Sequence, residues 1–137
     1  MPVVGIGTRQ ELGSAGTPDA PRVIAANAQS STVVRVTFDQ VMKASNPAES
    51  NDALNPGNYS FIAHGGSAAV SAASAANTGD SKSFDVTINE EFTGGGSYTV
   101  EVENAVGSLM GDVVNSLYDS AGFTGIGVDP QVSAANA

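Results

Sequence analysis

Apolar and polar residues alternate along much of this chain, and that alternation predicts its elements. Val34, Val36 and Phe38 alternate with Arg35, Thr37 and Asp39. Phe84, Val86 and Ile88 alternate with Asp85, Thr87 and Asn89, and Tyr98, Val100 and Val102 with Thr99, Glu101 and Glu103. Successive strand side chains point to opposite faces, so each run predicts a strand with one buried face. Residues 58–63 form a further strand with Tyr59 and Phe61 on one face. Residues 22–28 (RVIAANA) lead through a short turn at Gln29, Ser30 and Ser31 into the run 32–39, which predicts a hairpin or a sandwich corner. The Ala/Ser stretch 67–76 has helical composition, because Ala is the best helix former. Its interleaved Ser residues and the preceding Gly65-Gly66 favour a strand instead. A last short strand falls within residues 119–128, anchored by Phe123.

Between these runs the turn residues are dense. Residues 40–57 (QVMKASNPAESNDALNPG) hold two Asn-Pro pairs and a Pro-Gly pair, all turn signals, with room for one helical turn near 52–54. Gly94-Gly95-Gly96 breaks the chain, and residues 104–117 form a second long loop with Gly107, Gly111 and Asp112. Seven short strands at this spacing predict an all-β sandwich of two sheets with Greek-key connections. Its core draws on Val34, Val36, Phe38, Tyr59, Phe61, Phe84, Val86, Ile88, Tyr98, Val100 and Val102. Residues 1–20 keep no strand or helix period and read as an N-terminal arm carrying an apolar patch at Val3, Val4 and Ile6. Such an arm is either a loose terminus or a segment that docks on a neighbouring subunit. The sandwich occupies residues 21–127, and residues 128–137 read as a polar tail.

A length of 137 residues suits one domain of this kind. Lys and Arg number 5 against 14 Asp and Glu, a net charge of -9. The cations are scattered, which argues against a nucleic-acid partner, since phosphate binding needs clustered Lys and Arg. No apolar run is long enough to cross a bilayer as a helix. The chain has no Cys, which excludes a disulfide scaffold, a thiolate metal site and a Cys nucleophile. The first residues carry no basic n-region or long apolar h-region, and with Met1 as the native start they predict cytoplasmic synthesis.

Catalytic chemistry finds little support. His64 is the single histidine, and its place beside Gly65-Gly66 suits a strand end better than a general base or metal ligand. No Gly-x-Ser-x-Gly elbow is present. Gly5-Ile6-Gly7 and Gly125-Ile126-Gly127 do not continue as a nucleotide-binding loop; they read either as flexible joints between the sandwich and its arms or as a chance recurrence in a chain with 16 Gly. Asp39, Asp52 and Asp112 lie in loops that could meet at one end of a sandwich, which makes them the candidate calcium ligands; no other cofactor is expected. Glu90-Glu91, Glu101 and Glu103 read as outward solubilising charges. A sugar site would need exposed aromatics, and the chain has no Trp.

The runs VVRVTFDQVM, ALNPGNYSF, SFDVTI and GGSYTVEVENAVGSLMGD, spread over residues 21–126, resemble the bacterial Ig-like domains found in tandem in surface-layer and adhesion proteins. The resemblance falls on Phe38-Asp39, Asn58-Tyr59, Tyr98-Thr99-Val100 and Gly111-Asp112. It implies an immunoglobulin-like β-sandwich, with packing and turn residues and no catalytic ones. A free domain of this type with extended arms is also similar to decoration proteins of tailed-phage capsids. These likenesses lead to two expectations. One is a virion component that stabilises a capsid through contacts with other subunits, capsid proteins or its own copies. The alternative is an Ig-like module of a bacterial surface-layer or adhesion protein at the cell surface. Both are non-enzymatic, with protein partners and neither nucleic acid nor membrane.

Overall fold

The computed structural model describes residues 20–108 and 111–127. The arm patch at Val3, Val4 and Ile6 and the tail 128–137 lie outside the described residues. Among the described residues seven strands form: β1 Val23–Ala28, β2 Val33–Phe38, β3 Tyr59–His64, β4 Ala72–Asn77, β5 Ser83–Ile88, β6 Ser97–Val102 and β7 Ser120–Thr124. They build a four-stranded sheet in the order β1-β2-β5-β4 and a three-stranded sheet in the order β3-β6-β7. Every pairing is antiparallel. This is the strand order of a seven-stranded immunoglobulin-type sandwich, with strands A, B, E and D in one sheet and C, F and G in the other.

The alternation sets the two faces. Burial in β2 and β5 strictly alternates, with Val34, Val36, Phe38, Phe84, Val86 and Ile88 inward. In β6, Tyr98, Val100 and Val102 face the same interior. Phe38 and Phe84 meet edge to face at 5.8 Å between ring centres. Phe61, Phe92, Tyr98 and Phe123 form a second aromatic group, in which Tyr98 and Phe123 stack at 5.5 Å and Phe92 meets each of those two at 5.2 Å. Each fully buried side chain of this size stabilises by about 1.5–3 kcal/mol. Phe61 is half-buried, at the margin of the core.

Two elements differ from the sequence expectation. The helical turn is a 3-10 turn at Pro56–Asn58 rather than near residues 52–54. Pro56 presets the first turn, and the Asn55 side chain accepts the Gly57 N–H at 2.8 Å, which fixes where the turn starts. The Ala/Ser segment does form a strand, but only over Ala72–Asn77. It lies at the sheet edge, where small side chains gain little by burial, and its burial pattern shows no buried position.

Strand direction gives the sandwich two distinct poles. The chain arrives at Ala20 and Pro21, beside the end of β2, the loop 40–57 and the segment that precedes β7: the Asn115 N–H donates to the Pro21 carbonyl, the Asp39 N–H to that of Arg22 and the Val23 N–H to that of Tyr118. It leaves at Gly125 to Gly127, beside Thr93 to Gly96. β1 and β7 both run from the incoming pole to the outgoing pole, a span of roughly 20 Å for strands of this length.

Candidate functional site

The incoming pole is held by one buried carboxylate. Asp52 is fully buried, and its Oδ2 accepts the N–H groups of Ser45 and Asn46, both at 2.8 Å. Its Oδ1 accepts the Leu54 N–H at 2.8 Å, and Lys43 Nζ stands 3.6 Å away. Burial alone would raise the Asp52 pKa, but these backbone donors and the Lys43 charge outweigh it and hold the carboxyl below its ordinary value. Lys43 also pairs with Glu49. The Asp52 carbonyl accepts from the buried Asn58 side chain at 3.0 Å, and the Tyr59 hydroxyl donates to the Ala53 carbonyl at 2.7 Å. Burial, followed by the nearby Asp52 charge, pushes the Tyr59 phenol well above its usual range. Asp52 thus gathers residues 43–58 into a fixed loop.

Exposed apolar side chains surround the point of chain arrival. Leu117 is 66% exposed, Val113 53%, Tyr118 48% and Val41 41%. The Arg22 guanidinium sits over the Tyr118 ring at 4.4 Å. Val41 is tied in through its carbonyl, which accepts the Ser108 N–H, and Val113 bridges Val106. Pro21 lies at the centre, fully buried and against Gly107.

The outgoing pole is built on glycine. The Gly125 N–H donates to the Gly96 carbonyl at 2.8 Å, and the Gly95 N–H to the Gly125 carbonyl at 2.9 Å. A Cβ on Gly125 would stand 2.7 Å from the Thr93 carbonyl oxygen, and one on Gly127 2.9 Å from the Gly94 backbone. Gly125-Ile126-Gly127 is therefore no flexible joint: glycine is required there because two backbones touch. Its twin, Gly5-Ile6-Gly7, lies outside the described residues. Beside this contact the Tyr98 hydroxyl accepts the Thr93 N–H and donates to the Ala68 carbonyl, both at 2.9 Å. A Tyr near the start of this strand, bonded back to the preceding corner, recurs in immunoglobulin-type sandwiches.

The sequence candidates do not converge on a reaction centre. His64 ends β3, and its Nε2 meets Thr99 Oγ1 at 2.9 Å on the outer face of the three-stranded sheet. Among the described residues no group of three or more His, Asp or Glu side chains is placed to hold a metal ion. Asp39 Oδ1 accepts the Arg22 N–H at 3.0 Å, and both Asp52 oxygens accept backbone N–H groups. The Asp112 carbonyl accepts the Gly107 N–H. Glu101 lies between Ser60 and Ser120 on the outer face, and Glu103 comes just after the end of β6. Sequence reasoning missed the Tyr98 hydroxyl, Phe92 and the rim of the incoming pole. Two large side chains together in a loop, Leu117-Tyr118, were the available signal for the last.

Fold, strand order and the tyrosine corner define an immunoglobulin-like module. The chain belongs to the bacterial Ig-like domain family, whose description matches residues 18–124. Solved structures of surface-layer proteins share its fold. The crystal structure of the S-layer protein rSbsC(31-844) is 22% identical with a TM-score of 0.62, covering 77% of this chain and 14% of that one. The N-terminal part of the bacterial S-layer protein SbsC is 22% identical with a TM-score of 0.61, covering 77% of this chain and 23% of that one. Domains 1–6 of surface layer protein SbsC are 21% identical with a TM-score of 0.64, covering 80% of this chain and 14% of that one. The chain thus corresponds to a small part of those proteins. Among curated protein sequences, none matches it significantly.

Proposed function

We propose that this domain is a non-enzymatic spacer and assembly module of a bacterial surface-layer or adhesion protein, acting through protein–protein contacts at the cell surface. The observation that carries this reading is the placement of chain arrival and departure at opposite poles, each fixed by backbone hydrogen bonds. Such a body holds the incoming and outgoing chain in a defined mutual direction. The similarity to surface-layer structures supports the same reading over capsid decoration, which has no comparable support. The test is mass spectrometry of the native polypeptide in two preparations, the cell-envelope fraction of the producing bacterium and purified phage particles. Peptides of residues 20–127 should concentrate in the envelope fraction. Their co-purification with phage particles at stoichiometric level would return the virion reading.

A further inference from the structure

We draw no further inference here: the strongest candidate, the side-chain cluster in the loop 40–57 where the Lys43 ammonium donates to Glu49 and to Asn51 Oδ1 and faces the Asp52 carboxylate, belongs to the site already described, its contacts being those that fix that loop.

Discussion

Asp52 concentrates more structure in one side chain than any other polar residue described. Its three backbone donors organise a segment with little regular structure of its own. Removing the charge in Asp52→Asn should cost about 1–3 kcal/mol, because an amide cannot accept from donors on both sides. The depressed pKa sets the sign of the pH effect. Asp52 binds its proton more weakly folded than unfolded, so its contribution is complete above the unfolded value near about 4 and disappears as pH falls through the lower folded value. Urea titrations at several pH values should show native stability falling across that acid window and a shallower fall in the variant. A steeper fall in Asp52→Asn would contradict this account. Tyr98→Phe removes a donor and an acceptor at the outgoing pole while keeping the ring stack. A loss of about 1–3 kcal/mol in urea is expected, since the Thr93 N–H and the Ala68 carbonyl lose their partner.

At the scale of elements, glycine placement separates close approach from ordinary strand positions. Gly125→Ala and Gly127→Ala should each cost about 1–3 kcal/mol, since their Cβ atoms meet backbone that cannot yield easily. Gly122→Ala in β7 is the control: its Cβ would lie 3.7 Å from the Tyr98 carbonyl oxygen, an ordinary contact. Thermal melts of the three should rank Gly122→Ala as nearly neutral. The same division explains what was legible in the sequence. The strands of Val34, Phe84 and Tyr98 were plain because each buries alternate residues against one core. The Gly125 to Gly127 contact was not, because the need for glycine comes from a segment remote in sequence. Phe92 was hidden for a related reason: it enters the aromatic group from a loop, where no period marks it.

For the whole molecule, arrival and departure at opposite poles have a mechanical consequence. β1 and β7 are the first and last strands among the described residues and run in the same direction. The first is bonded along β2 and the last along β6. Tension applied through the two chain ends is then directed along these strands. It loads their lateral hydrogen bonds simultaneously, in shear, where handles at Ala72 and Ile88 would unzip the β4–β5 hairpin one bond at a time. Single-molecule pulling should therefore require distinctly higher force through the ends than across that hairpin. Comparable forces would show that the terminal strands peel instead. A module so arranged bears load in the direction in which its own chain runs.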